Sequence, residues 1–317
     1  MAYWFEKDNI RRFRRIQLPI QAMVCPQQPL TETDILGYGT DYLPPSVQSQ
    51  IEQSRKALWH WVSHIQDQQA CLKSYFEAFE QAIIFFGDCL NRLAKGESQR
   101  RNPEHWYTLQ DIRKGIQKIE VFQATAPKIF AYFDALNTKI MTYFAHLMGC
   151  DGQSTLTQFK PASPLPKQFE IDKIANRFDP DTFKNVPLAQ ALHHLNDLTS
   201  FYFNAYQQLI FDMNFPKKAQ SWPVLPLSVS EGGIALFVSK RFRPQCRYDV
   251  YLHFKSVKRT IKMEASLVRQ VSDRRKKREC NGFDFIFPEA QYQYLIQLEL
   301  DRYELLQAKQ VYSSWQN

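Results

Sequence analysis

The stretch IQLPIQAMV, residues 16–24, determines the fold that the sequence predicts. Its apolar residues stand at every second position: Ile16, Leu18, Ile20, Ala22 and Val24. Alternation of this kind predicts a β-strand with one face buried. A single strand is not stable alone, so this one must pair with strands elsewhere in the chain.

The carboxy-terminal region contains the expected partners. Four of its segments alternate in the same way: 234–238, 248–254, 261–267 and 283–287. Short segments at this spacing predict a small antiparallel barrel or sandwich. Pro288 then opens a predicted final helix. Pairing of the first strand with these segments would leave no partnerless strand at the amino end.

The middle of the chain has a helical pattern instead. One apolar set recurs every seven positions: Ile51, Leu58, Ile65, Leu72, Phe79, Phe86 and Leu93. A second set follows four residues after members of the first: Val62, Phe76, Ile83 and Leu90. With Arg55 and Gln69 at polar positions, this heptad pattern predicts a long helix that needs a partner, and therefore a homo-oligomer that is at the least a dimer.

Two more helices are predicted, over 111–147 with a break near Pro127 and over 188–213. The predicted fold class is therefore α+β: a small antiparallel β-barrel split by a large α-helical, heptad-bearing insertion. We expect residues 1–40 and 221–317 to form the barrel with its terminal helix. Residues 41–220 are expected to form the helical insertion and oligomerisation domain.

Composition limits the function. The net charge of +8 suits phosphate-bearing partners or an anionic surface. The six cysteines show no CxxC spacing, and the amino-terminal segment has no apolar signal core, so we expect a cytoplasmic protein without a metal site. No apolar run reaches membrane-spanning length. Without a Gly-rich phosphate loop or a GxSxG motif, neither an enzyme nor a cofactor is expected.

Two short motifs carry candidate ligand-binding residues. Arg11, Arg12 and Arg15 precede the first strand, and Arg11 with Arg15 forms an RxxxR pattern. Arginine forks form paired hydrogen bonds with phosphate oxygens or with the O6/N7 edge of guanine. The second motif is SVSEGG, residues 228–233, in which Ser228 and Ser230 supply hydroxyls and Gly232 and Gly233 permit close backbone approach.

Together these motifs resemble PilZ domains, the bacterial receptors for cyclic-di-GMP. That family combines an RxxxR arm before its first strand with a [D/N]x[S/A]xxG motif at a later strand, and RRFRRIQLPIQAMV and LSVSEGGIALFV are similar to these in order and context. The resemblance covers about residues 1–30 and 222–317. The heptad helix is similar in kind to those of an atypical PilZ subset that assembles as tetramers.

The resemblance implies the ligand cyclic-di-GMP and a role for each residue. Arg11 and Arg15, with Arg12 beside them, would bind phosphate and guanine. Ser230 would contact the polar edge of the ligand, and Gly233, with Gly232 beside it, would allow close approach. Ser228 departs from the family, which has Asp or Asn at this position; a lost base contact costs about 1–3 kcal/mol.

Three function hypotheses therefore remain open, of which the last is nonspecific nucleic-acid binding by the basic barrel, expected to weaken steeply with salt. The first is a cyclic-di-GMP receptor that relays binding through the helical oligomer, with a downstream protein partner. The second is a degenerate PilZ-like structural or protein-interaction module that does not bind the nucleotide. Specific nucleic-acid binding is not expected, and the basic run Arg274–Arg278 is interpreted as an exposed hairpin tip. The pairs His60/His64 and His193/His194 are interpreted as helix-surface residues.

Overall fold

In a computed structural model the chain divides into two compact units. The structure describes residues 15–66, 69–112, 123–124, 126–175, 182–214, 218–255, 258–273, 275–286 and 290–314. One unit joins residues up to Gln28 with those from Pro216 onward, and the other comprises Pro29–Phe215. The fold class is α+β, because the first unit contains a closed antiparallel β-barrel and the second is built from helices.

The strands of the barrel come from both ends of its sequence. They are β1 (Ile16–Pro26), β2 (Val224–Ser230), β3 (Gly233–Val238), β4 (Arg247–Phe254), β5 (Arg259–Asp273) and β6 (Arg278–Ile286). Their order around the closed barrel is β1-β2-β3-β6-β5-β4, and all neighbours are antiparallel.

The predicted pairing of the first strand with carboxy-terminal strands is confirmed. The first part of β1 pairs with β2, in a register from Ile16 opposite Val229 to Gln21 opposite Val224. Its second part pairs with β4, where Ala22 lies opposite Leu252. One strand thus has a different neighbour on each side along its length, and this stagger closes the barrel.

Strand β2 is an addition to the strands that the sequence predicts, because the first predicted carboxy-terminal strand begins at residue 234. In the structure Val224–Ser230 is itself a strand, and the turn follows at Glu231 and Gly232. Its Pro226 lowers strand propensity and concealed the alternation of Leu225, Leu227 and Val229. The carboxy-terminal region therefore contributes five strands rather than four.

The barrel interior is filled by large apolar side chains, including the fully buried Tyr248 and Phe283. Strand alternation sends every second residue of each strand into this core. The helix α7 (Ala290–Ser314) adds Ile296 and Leu300 to the same core. The predicted carboxy-terminal helix is therefore present.

The helical unit lies between β1 and β2 in sequence. Its helices are α1 (Pro45–Ser63), α2 (Gln69–Ala94), α3 (Pro103–Ile112), α4 (Pro127–Gln153), α5 (Glu170–Ala175) and α6 (Pro187–Met213), with a 3₁₀ turn at Gln99–Arg101. Helix α4 begins at Pro127, where the sequence predicted a break. Among the described helices, none combines the length and the apolar character needed to cross a bilayer.

The long heptad helix is a prediction that the structure corrects. Helix α1 ends at Ser63 and α2 begins at Gln69, so the seven-residue pattern runs across two helices. The apolar residues of the pattern are buried within the same chain: Phe86, for example, makes edge contacts with Phe144 of α4 and Phe203 of α6, with ring centroids 5.2 and 5.1 Å apart. Because α4 and α6 already cover this face, the pattern no longer requires a second subunit.

Residues 29–40 lie with the helices rather than with the barrel, where the sequence analysis placed them. Their backbone is tied to the segment after α2: the N–H groups of Asp34 and Ile35 donate to the carbonyl of Gly96, and that of Gly39 donates to Ala94. Gly96 has a φ of +75°, a left-handed conformation that favours glycine. These bonds explain why the unit boundary falls after Gln28.

Candidate functional site

The two serines of the second motif point away from the barrel interior. Leu227 and Val229 belong to the barrel core, so the alternating Ser228 and Ser230 lie on the outer surface of β2. Both are nevertheless largely covered, with 8% and 4% of their surface exposed.

The register of β1 brings the end of the arginine arm to these serines. Gln17 lies directly opposite Ser228, and Ile16 lies opposite Val229. Arg15, which is exposed, directly precedes Ile16, and Ser230 directly follows Val229, so both residues flank the last pair of the β1–β2 ladder. Arg15 and Ser230, which are 215 positions apart in sequence, are therefore neighbours on the barrel surface.

On the other side of Ser228 the outer row continues with small residues. Ser228 pairs with Ala235 of β3, Ala235 pairs with Gly282 of β6, and Gly282 pairs with Arg269 of β5. We call this surface the arginine–serine face, and it comprises Arg15, Gln17, Ser228, Ser230, Ala235, Gly282 and Arg269. The small residues between the two arginines are buried, and each arginine can bind phosphate or stack on a planar ring.

The positive charges of Arg15 and Arg269 both affect the pKa of one thiol, that of Cys280. Burial raises the pKa of Cys280 in β6, while the positive charges of Arg269 and Arg15 oppose that rise. Cys280 is two residues from Gly282, so both guanidinium groups are within electrostatic reach of the same part of β6. The positive charges of Arg15 and Arg269 therefore reach the same side chain of β6, while the exposed Asp284 adds a carboxylate two residues beyond Gly282.

Ser230 and the paired glycines have structural roles within the fold. The Ser230 hydroxyl donates to the carbonyl oxygen of Gly233 at 3.2 Å, across the β2–β3 turn. A Cβ atom on Gly233 would lie 2.2 Å from the carbonyl oxygen of Phe283, so β6 itself requires glycine there. The carbonyl of Gly232 accepts the N–H of Phe285 at 2.9 Å. From the sequence, Gly233 is expected to allow the close approach of a ligand. In the structure Gly233 allows the close approach of β6 to β3.

The remaining arm residues, Arg11 and Arg12, lie outside the described residues, and so does the arrangement of the RxxxR pattern. Sequence reasoning missed Gln17 and Arg269. Gln17 was visible as an outward position of the first strand, but only the register with β2 places it beside Ser228. Arg269 follows an irregularity between Leu267 and Arg269, which shifts the alternation and could not be read from periodicity.

The basic run forms the tip of the β5–β6 hairpin. Arg275, Lys276, Lys277 and Arg278 are exposed, and Arg274 lies outside the described residues. The carboxylate of Asp273 accepts the N–H groups of Arg275 and Lys276 at 3.1 and 3.0 Å, which fixes the turn. The predicted exposed tip is confirmed for these four residues.

Ligand-type side chains also meet on α6, where atoms of His193, His194 and Asp197 lie within 4.8 Å of one another. His193 Nε2 is 3.3 Å from a carboxylate oxygen of Asp197, one helical turn away. This contact is an ordinary i, i+4 pair and accounts for their proximity. Burial lowers the pKa of His194, with the neighbouring His193 acting in the same direction.

No protein-family model, curated protein or solved structure matches this chain.

Proposed function

We propose that the arginine–serine face binds a cyclic dinucleotide, and that the protein is a PilZ-like cyclic-di-GMP receptor. One observation carries the proposal: Arg15 and the two motif serines, from opposite ends of the sequence, are adjacent on one outer surface. Arg269 adds a second guanidinium across the small residues. Two phosphates and two guanines offer anionic and planar groups that two arginines could clamp.

Gln17 offers a replacement for the Asp or Asn that the PilZ pattern has at position 228. The side chains of Gln17 and Ser228 project from the same face at directly opposed positions. A glutamine amide has both a donor and an acceptor, so it can pair with the edge of a guanine where the Ser228 hydroxyl cannot do so alone. The amide function would then have moved from β2 to β1.

The alternative function is a PilZ-like structural or protein-interaction module that does not bind the nucleotide. A specific observation favours it: Ser228 and Ser230 are mostly covered, and the Ser230 hydroxyl already donates within the turn. Gly233 is explained by the backbone of Phe283. The second motif would then persist because the β2–β3–β6 packing requires these residues.

Isothermal titration calorimetry with cyclic-di-GMP distinguishes the two functions. The receptor predicts saturable binding to the wild type that Arg15→Ala and Arg269→Ala each weaken about tenfold or more. Arg275→Ala removes one equally exposed arginine at the hairpin tip and should leave binding within about twofold. An absence of heat with the wild type, at protein concentrations of about 100 μM, would support the module instead.

The amide role of Gln17 needs its own pair of variants. Gln17→Ala should weaken binding by about 1–3 kcal/mol, the scale of a single base contact. Adding Ser228→Asn to Gln17→Ala restores an amide beside the same position, so it should recover most of the loss. Equal affinity of wild type and Gln17→Ala would remove Gln17 from the site while leaving the arginine clamp untouched.

A further inference from the structure

A cleft separates the barrel wall from the second half of α7. Its barrel side is formed by Leu18, Ile20 and Gln21 of β1 together with the end of β4 at Phe254 and Lys255. The cleft volume is about 190 Å³. Strand β1 changes partner from β2 to β4 at Gln21, and the cleft lies along this change of partner.

The helix presents one face to this cleft. Glu299, Arg302, Tyr303 and Leu306 line it, at spacings of three, four and seven residues that place them on one side of α7. The preceding turn of the helix is anchored, because Ile296 and Leu300 are buried in the barrel core. The wall contributed by the helix is therefore held in place by the barrel itself.

Apolar surface at the cleft is left uncovered. Leu306 is 48% exposed, and Val224 at the start of β2 is 52% exposed. Leu18, Ile20 and Phe254 continue the apolar lining inward. Exposed aliphatic side chains that converge on a concave site, rather than being scattered, are typical of a site for an apolar ligand.

The polar side chains at the cleft differ in burial, hydrogen bonding and charge. Gln21 is 5% exposed; its amide nitrogen donates to the carbonyls of Gln220 and Trp222, both at 3.2 Å, and its amide oxygen is buried without a partner. Two exposed cations, Lys255 and Arg302, line the cleft. One carboxylate, that of Glu299, also lines it and already interacts with another group of the protein. The cations outnumber the carboxylate, so the opening favours a negative ligand group.

We propose that this cleft binds a single-chain amphiphile with a carboxylate head, such as a medium-chain fatty acid. The chain lies against Leu18, Ile20, Phe254 and Leu306, and the carboxylate lies between Lys255 and Arg302 at the opening. This site is separate from the arginine–serine face and does not depend on nucleotide binding.

Titration of the protein with octanoate, monitored by calorimetry, tests the proposal. Leu306→Trp enlarges a half-exposed side chain that lines the cleft, and it should weaken octanoate binding about tenfold or more. Leu305→Trp is the matched control: the neighbouring leucine is 65% exposed and does not line the cleft. It should leave the affinity within about twofold.

Chain length and head group give two independent measurements. Affinity should rise about fourfold for each methylene from butanoate to octanoate if the chain enters an apolar cleft. Arg302→Gln should weaken octanoate about threefold and leave octanol unchanged, because only the carboxylate meets the guanidinium. Lack of octanoate binding by the wild type, or equal weakening by the two tryptophan variants, would overturn the proposal.

Discussion

Pro19 of β1 and Pro226 of β2 lie directly opposite each other in the antiparallel ladder. Directly opposed residues alternate between pairs that exchange both backbone hydrogen bonds and pairs that exchange none. Proline has no N–H, so this pair must be of the second type. The β1–β2 ladder therefore loses no backbone hydrogen bond to either proline. Because both prolines must lie at such a pair, they fix the register of the ladder.

Replacing either proline should cost little. Pro19→Ala should lower the free energy of unfolding of the barrel by less than about 1 kcal/mol, through the added freedom of the unfolded chain. Leu18→Pro, one residue away, removes a ladder donor and a buried side chain and should cost about 3 kcal/mol or more. Hydrogen exchange of barrel peptides in urea measures both. A large loss in Pro19→Ala would mean that the register is not the one described.

Gly233→Ala should destabilise the barrel strongly, because the Cβ of the alanine would lie 2.2 Å from the carbonyl oxygen of Phe283. This oxygen belongs to the backbone of β6, so it cannot move aside as the end of a flexible side chain could. A loss of about 2 kcal/mol or more is expected. Gly282→Ala is the control, since its nearest neighbour would be the Cβ of Arg269 at 3.3 Å, and it should cost less than about 1 kcal/mol. Thermal unfolding without ligand separates these outcomes; equal midpoints would show that Gly233 is not required by β6.

Arg55, which the heptad pattern placed at a subunit contact, is bound within its own chain. Its Nε donates to the buried Glu80 at 2.7 Å, and the indole N–H of Trp59 donates to the same carboxylate. Arg55→Ala leaves the carboxylate buried with fewer donors and should lower stability by about 1–3 kcal/mol. Adding Glu80→Gln should recover part of that loss, because no charge is then stranded.

Lys56→Ala is the control for this pair, since Lys56 is the exposed neighbour of Arg55 on α1. Its effect should stay within about 0.5 kcal/mol. Chemical denaturation followed by circular dichroism reports on the helical unit. A loss in Arg55→Ala that matches Lys56→Ala would show that the Arg55–Glu80 contact contributes nothing.

The stability of the helical unit should fall in mild acid because of His146. This side chain is buried beside the Tyr206 hydroxyl, 2.7 Å from its Nδ1, and burial lowers its pKa below the ordinary value of 6.5. The unfolded chain therefore takes up a proton near that pH while the folded chain does not, so stability is lost as the pH drops below it. His194, whose pKa is lowered in the same direction, adds to the effect.

His146→Gln should therefore flatten the dependence of the thermal midpoint on pH between about 7.5 and 5, without abolishing it. Gln48→Ala changes an exposed residue of α1 that does not ionise and should leave the slope as in the wild type. A slope that His146→Gln does not change would place the acid sensitivity elsewhere.

The architecture of the barrel could be predicted because strand alternation is a local signal. Ile16 to Val24 shows it over nine residues, and the predicted partners near residues 234–286 show it as well. Strand β2 was not predicted because a proline is tolerated in a strand only where the ladder does not use its missing N–H, and whether Pro226 lies at such a position depends on the register. The prediction of a single heptad helix was wrong. A seven-residue repeat does not show whether the helices that cover its apolar face come from the same chain.

The residues of the candidate site also differ in whether the sequence alone could reveal them. Arg15, Ser228 and Ser230 could be selected from motifs, because those residue types carry the chemistry of phosphate and base recognition. Gln17 and Arg269 required the cross-strand register, and the structural roles of Gly233 and the Ser230 hydroxyl required distances between strands. Local residue type predicts what a side chain can do, while its neighbours are set by pairing across the barrel.

The position of β1 also has a consequence for synthesis on the ribosome. Roughly 200 residues separate the end of β1 from the start of its first partner, β2, and at 5–20 residues per second this is a delay of about 10–40 s. During that time the helical unit can fold, but the strand has both edges unpaired and its apolar side chains uncovered. The nascent chain therefore has to keep one aggregation-prone segment apart from its neighbours until the last strands emerge.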